Sequence, residues 1–202
     1  MKQVFLSGRA VSPSKVVCIG RNYVAHAEEL GNEVPTEPVV FVKPASAIGN
    51  VLHSIQDEVL HYEAEICFMV AGGQLVAVSV GLDLTKRATQ NRLKAKGLPW
   101  ERAKSFDGSA LFGEFVPCSS SEGLSLVFSC DGVVLQQGGC ELMLFSPEQL
   151  LEEVASFMTL EDGDILMTGT PAGVGPLQAG GHYRAELRRG DELLTSVSWT
   201  AH

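Results

Sequence analysis

No apolar run in the 202 residues approaches the roughly 20 that cross a bilayer. The opening MKQVFLSGRAVSPSK also lacks the apolar stretch of a secretory signal, so a soluble, cytoplasmic chain without a membrane partner is expected. The five cysteines, at 18, 67, 118, 130 and 140, contain no C-x-x-C pair. That argues against a zinc or redox site of this spacing and for reduced intracellular thiols. A basic surplus is missing as well. The formal net charge of −9 repels nucleic acid and anionic lipid at long range, so neither is an expected partner. Repeats, low-complexity tracts and linker-like shifts in composition are absent, and one domain over residues 1–202 is expected.

A hydrophobic content of 45% is enough for a chain of this length to bury roughly 70% of its unfolded surface without a disulfide or metal staple. The charge is unevenly placed: seven of the fifteen basic residues fall between Lys86 and Lys104, a local positive field suited to a small anion. KVVCIG (15–20), PVVFVKP (38–44), LSLVFSC (124–130) and GDILMTG (163–169) are short, rich in β-branched or aromatic residues and bounded by Gly, Pro or Ser, and read as strands. Asp131-Gly132 and Gly190-Asp191 suit hairpin turns. Ser146-Pro147-Glu148-Gln149 is a capping box that opens a helix with Leu150, Leu151, Val154, Phe157 and Met158 on one apolar face. Two shorter helices are predicted, from about 22 to 30 and from about 85 to 96, each followed by glycine. Strands outnumber helices, and the fold class is a β-rich α+β domain.

Chemistry concentrates in two places. HYEAEICFMV sets Glu63 and Glu65 two residues apart in a strand-like run, so both carboxylates leave one face. Like charges that close call for a cation between them, and a hard ion such as Mg²⁺ or Mn²⁺ is the natural occupant. Asp83, at the end of the apolar run VGLD, is the best third ligand; His61 is in phase with the glutamates, but an oxygen site has no need of imidazole. In NYVAHAEELG, His26 and Glu29 stand three apart on one helix face, a spacing that lets a carboxylate orient an imidazole as a general base. His53, His182 and His202 belong to no such constellation.

GRNYVAHAEELG, EPVVFVKP, HYEAE, GLDLTKRATQ, KGLPWERAKSFDGSA and EDGDILMTGTPAGVGP resemble, in this order over about residues 15–178, the fumarylacetoacetate hydrolase family, especially its small acylpyruvase-like members. The resemblance implies a single-domain mixed β-sandwich roll that forms a homodimer. It implies that Glu63, Glu65 and Asp83 hold Mg²⁺ or Mn²⁺, that His26 and Glu29 activate water, and that Lys104 stabilises enolate charge. Arg87, Gln90 and Thr170 would meet the carboxylate and oxo groups of a small 2-oxo acid. The implied reaction is cleavage of a carbon–carbon bond beside the carbonyl: hydrolysis of an acylpyruvate to pyruvate and a carboxylic acid, with oxaloacetate decarboxylation at the same site. Alternatives are fumarylpyruvate hydrolysis, isomerisation of 2-hydroxyhepta-2,4-diene-1,7-dioate, and 2-oxo acid binding without turnover.

The chain departs from the family pattern in several places. The connection between Met69 and Leu82 is short, which puts the sheet edge there in question. Asp107-Gly108-Ser109-Ala110 and LFGEF replace a small-residue and Cys-Pro pattern, Ala88 stands in place of aspartate, and Gly180-Gly181 replaces Gly-Asp.

Overall fold

The computed structural model describes residues 2–202 and is mostly β, with 45% of residues in strands and 18% in helices. None of its helices is long and apolar enough to cross a membrane. A central sheet runs in the order Ala110–Phe112, Gln74–Asp83, Ala64–Ala71, Ile165–Met167, Lys15–Gly20 and Val39–Pro44, with Val116–Pro117 added beside Gln74–Asp83. Ile165–Met167 lies parallel to Lys15–Gly20 and antiparallel to Ala64–Ala71, so the sheet is mixed.

Side chains alternate across it with the two-residue period of a strand. Val17, Ile19, Ile66, Phe68, Val70 and Leu166 enter one hydrophobic cluster, while Val16, Cys18, Cys67, Met69, Ile165 and Met167 enter another on the opposite face. The first cluster is closed by a second sheet, ordered Val133–Gly139, Leu124–Cys130, His182–Arg189 and Glu192–Thr200, which contributes Leu124, Leu126, Phe128, Tyr183 and Leu187. Each such aliphatic or aromatic side chain contributes about 1.5–3 kcal/mol on full burial. Two sheets facing each other across this core give the expected sandwich roll. Asp131 and Gly132, both with positive φ, make the predicted tight turn between Leu124–Cys130 and Val133–Gly139.

The short connection after Met69 leaves the sheet edge intact. Gly72 and Gly73, both with positive φ, close Ala64–Ala71 directly onto Gln74–Asp83, and the ladder runs from Ala64↔Leu82 to Ala71↔Gln74 with one irregularity between Met69 and Val70.

A small third sheet positions the site. Glu58–Tyr62 pairs with Ile55–Gln56, Gly175–Pro176 and Thr85–Lys86. The chain leaves this sheet at Tyr62 and enters the central one at Ala64, with Glu63 between them. The return crossing is adjacent: Gln74–Asp83 ends in the central sheet and Thr85–Lys86 begins in the small one. The Asp83 N–H donates to the Glu63 carbonyl at 2.8 Å, which ties the two crossings together.

The helices differ from expectation at their ends. The first is Val24–Glu29 and the second Arg87–Ala95; Thr85 and Lys86, predicted helical, pair as strand because Leu60 and His61 offer them a ladder. The third predicted helix is Pro147–Phe157, with both bonds of its capping box formed. Leu150 and Val154 are buried, but the helix stops at Phe157, whose side chain stays exposed.

Candidate active site

Glu63, Glu65 and Asp83 converge at the seam between the central and small sheets. One oxygen from each lies within 4.8 Å of the others, and all three residues are buried. The predicted lysine enters the same place: Lys104, at the end of the short helix Glu101–Lys104, donates from Nζ to Glu63 Oε2, Asp83 Oδ2 and Thr85 Oγ1, each at 2.7 Å. Beneath it lies Lys43, wholly buried, with Nζ 2.8 Å from Asp83 Oδ1. That contact is close enough for an ion pair but lacks hydrogen-bond geometry, so Asp83 Oδ1 has no hydrogen-bond partner. Lys43 donates instead to Ser109 Oγ at 3.1 Å and to the Lys104 carbonyl.

The three carboxylates do not share this positive charge evenly. Burial raises the pKa of Glu63, but Lys104, Arg87 and His26 override it and hold the group well below the usual carboxylate range. Glu65 is the opposite case. Burial, then Asp83, then Glu63 push its pKa well up, and the N–H of Gly169, 2.8 Å from Oε2, only partly opposes them. Burial works against the Lys104 ammonium, while Asp83 and Glu63 more than compensate and raise its pKa. A buried set of carboxylate oxygens with one acid short of positive charge and one oxygen unbonded fits a hard divalent cation, and it contains no thiolate or imidazole that would favour a soft one.

The other predicted residues form the walls. A small cleft is lined by His26, Glu63, Glu65, Arg87, Gln90, Lys104 and Thr170. Arg87 Nη2 donates to Glu63 Oε1, and its Nη1 donates to Gln90 Oε1 at 2.6 Å. His26 Nδ1 lies 3.3 Å from Glu29 Oε2, and Glu29 Oε1 accepts from the Gly173 N–H at 3.0 Å. Thr170 lines the cleft, but its hydroxyl is engaged: it donates to the Ala64 carbonyl and accepts from Gln136 Nε2, both at 2.8 Å. His61 stands outside the acidic cluster, in a neighbouring hollow with Glu29, Arg87 and Lys94. Burial and then Arg87 lower its pKa.

Several structural supports escaped the sequence reading. Asn22 donates to the Phe145 and Thr168 carbonyls and accepts from the Phe145 N–H, which fixes the turn after Lys15–Gly20. Gly169, with φ +99°, permits this close approach, since a Cβ there would meet that of Asn22 at 2.8 Å. Gln136 reaches from the second sheet to accept from the Ala64 N–H and to donate to Thr170 and Pro171. Phe41 and Trp100 also line the cleft, with ring centroids 5.8 Å apart. A lone lysine inside PVVFVKP and a glutamine inside a strand run were the available signals.

Residues 15–199 match the family model described as fumarylacetoacetate (FAA) hydrolase C-terminal. The chain is 37% identical over 203 residues to an oxaloacetate tautomerase of Escherichia coli, covering 91% of this chain and 92% of that one. It is 36% identical over 185 residues to a mitochondrial oxaloacetate decarboxylase of Dictyostelium discoideum, covering 82% and 85%. The crystal structure of fumarylpyruvate hydrolase from Pseudomonas aeruginosa, in complex with Mn²⁺ and pyruvate, superposes with a TM-score of 0.85 at 29% identity and covers 99% of this chain and 96% of that one. With the motifs, the mixed sheet and near full-length matches in agreement, the chain belongs to the fumarylacetoacetate hydrolase family of enzymes.

Proposed function

We propose that this chain binds a small 2-oxo acid over Glu63, Glu65 and Asp83 and catalyses its enolisation or the breaking of the bond beside its carbonyl. The observation that carries this reading is the convergence of three buried carboxylates, one of them short of positive charge, two of which, Glu63 and Glu65, line a cleft walled by Arg87, Gln90 and Lys104. A divalent ion held there, Mg²⁺ or Mn²⁺, would supply Lewis-acid polarisation of the 2-oxo group. Lys104 would stand beside that group as a fixed ammonium and stabilise negative charge as it develops on the oxygen. Arg87 and Gln90, already hydrogen-bonded to each other, present a planar donor fork and an amide to the substrate carboxylate. Names of the relatives support oxaloacetate as the first substrate to try.

A second reading, hydrolysis of an acylpyruvate, is favoured by the contact between His26 and Glu29. Glu29 is anchored by Gly173, so its other oxygen can hold the imidazole with Nε2 as the acceptor face, ready to take a proton from water.

The test follows the ultraviolet absorbance of oxaloacetate and acetylpyruvate on chelator-stripped protein, with and without Mg²⁺ or Mn²⁺. Metal-dependent loss of either signal supports the site; no loss of either with any added metal refutes catalysis of this class. His26→Ala separates the readings. It should lower acetylpyruvate hydrolysis by about 10²–10⁴-fold, whereas oxaloacetate decarboxylation, which needs neither an activated water nor a base to take a proton from carbon, should fall by less than about tenfold.

A further inference from the structure

Four Lys and Arg side chains line the cleft and a fifth, Lys43, is buried beneath it; three of the five are committed to the acids. Lys43 is paired with Asp83, Lys104 with Glu63 and Asp83, and Arg87 with Glu63. Arg21 and Lys94 also line the cleft, yet among the described residues neither has a carboxylate within ion-pair distance. The backbone of Arg21 and the ammonium of Lys94 are held in place. Arg21 follows the strand Lys15–Gly20 with φ +59°, a left-handed conformation rare for a residue with a side chain, and the three hydrogen bonds of its neighbour Asn22 enforce it. Lys94, near the end of Arg87–Ala95, donates from Nζ to Asn32 Oδ1 at 2.7 Å, so its ammonium bridges from that helix to the segment after the His26 helix. Burial lowers the Lys94 pKa, and the nearby charges of Arg21 and Arg87 lower it further.

Two half-buried cations on one cleft, neither paired with a carboxylate, make a position that favours an anion. The 2-oxo acid end of a substrate is already served by the floor, by Arg87 and by Gln90. We propose that Arg21 and Lys94 form a second anion subsite in the cleft that selects 2-oxo dicarboxylates over 2-oxo monocarboxylates. This inference rests on the 2-oxo acid reading above. It extends that reading by assigning the distal carboxylate to two residues that sequence spacing did not connect.

The test compares a dicarboxylate, oxaloacetate, with a monocarboxylate, acetylpyruvate, on Mn²⁺-loaded wild type, Lys94→Met, Arg21→Met and the charge-preserving Lys94→Arg. Affinity is read as KM and, independently of turnover, by competition against oxalate in calorimetry. Each Met variant is expected to weaken oxaloacetate by about tenfold or more and acetylpyruvate by less than about threefold, as loss of a charge-assisted contact to only one of the two would do. Lys94→Arg should keep the wild-type preference within about threefold. Equal weakening of both ligands, or no weakening of either, in variants with unchanged melting temperature overturns the subsite. Failure of wild type to bind oxalate removes the 2-oxo acid reading itself and the inference with it.

Discussion

Two buried carboxylates in this molecule have opposite surroundings. Asp164, just before the strand Ile165–Met167, accepts from the Ser14 N–H and hydroxyl, the Lys15 N–H and ammonium, and the Glu161 N–H. Burial alone would raise its pKa, but the donors from Lys15, Glu161 and Ser14 overcome it and hold the group below the usual aspartate value. Glu65 lies on the neighbouring strand Ala64–Ala71 with one backbone donor, Gly169, and two other carboxylates for company. Its pKa goes the other way. The chain thus neutralises the acid that ties the start of Lys15–Gly20 to the turn before Ile165–Met167 and leaves under-neutralised the acid that faces the cleft. The first is complete within the fold, whereas the second calls for positive charge from outside it.

The sharpest way to break this contrast is Glu65→Gln. It should cut metal-dependent turnover by about 10³-fold or more, roughly 4 kcal/mol of transition-state stabilisation. The metal-free variant should melt no lower than metal-free wild type, because the substitution removes a charge that its surroundings disfavour. A large fall in metal-free melting temperature would show that Glu65 is as structural as Asp164.

Lys104→Met tests the same floor from the cation side. Glu63 and Asp83 would each lose a buried partner, and about 3–5 kcal/mol of metal-free stability should go with it. Urea titration with and without Mn²⁺ checks this, and recovery of part of the loss on adding metal is the expected result. Equal destabilisation in both conditions would argue that no ion shares the site with Lys104.

Asp164→Asn should cost about 2–3 kcal/mol at neutral pH, since charge-assisted bonds become neutral or are lost, with no recovery from Mn²⁺. The smallest effect is the pH dependence of that cost. Because the folded-state pKa of Asp164 is depressed, its contribution is fully present above the ordinary aspartate value and disappears as pH falls through the folded value. Stability curves of wild type and Asp164→Asn should therefore draw together below about pH 4. A constant gap down to pH 2 would contradict the assignment.

Much of the fold was legible because its signals are local. Apolar runs bounded by Gly or Pro became Lys15–Gly20 and Val39–Pro44, Asp131-Gly132 supplied a turn with the right handedness, and the Ser146 box carried its own hydrogen bonds. The acidic cluster was half local: the spacing of Glu63 and Glu65 puts them together, whereas Asp83 reaches them only through a hairpin ladder. Strand alternation across Glu63 was an incomplete picture, because the chain changes sheets at that residue. What stayed hidden depends on partners far along the chain. Lys43 reads as an oddity in an apolar strand until Ser109 and Asp83 appear beside it, and Gln136 acquires meaning only from Ala64 and Thr170. Thr85 and Lys86 followed a ladder offered by Leu60 and His61, which no helical periodicity could reveal. Phe157 was placed on the buried face by the apolar pattern, but as the last residue of the helix its side chain stays exposed.

The irregularity between Met69 and Val70 has a bearing on how this hairpin can vary. On the site side of it, Glu65 faces Gly81 and Met69 faces Ala77; beyond it, Val70 faces Leu75, so Val76 is the unmatched residue. Because strand neighbours alternate in direction, a hairpin is a count, and a single insertion would ordinarily turn Asp83 away from Glu63. A bulge placed between the Gly72-Gly73 turn and the acids takes up the odd residue before the error reaches them. The turn is therefore a place where a lineage can lengthen or shorten the chain by one residue and correct the count locally, which uncouples the history of that surface loop from the inheritance of the chemistry at the other end of the strand.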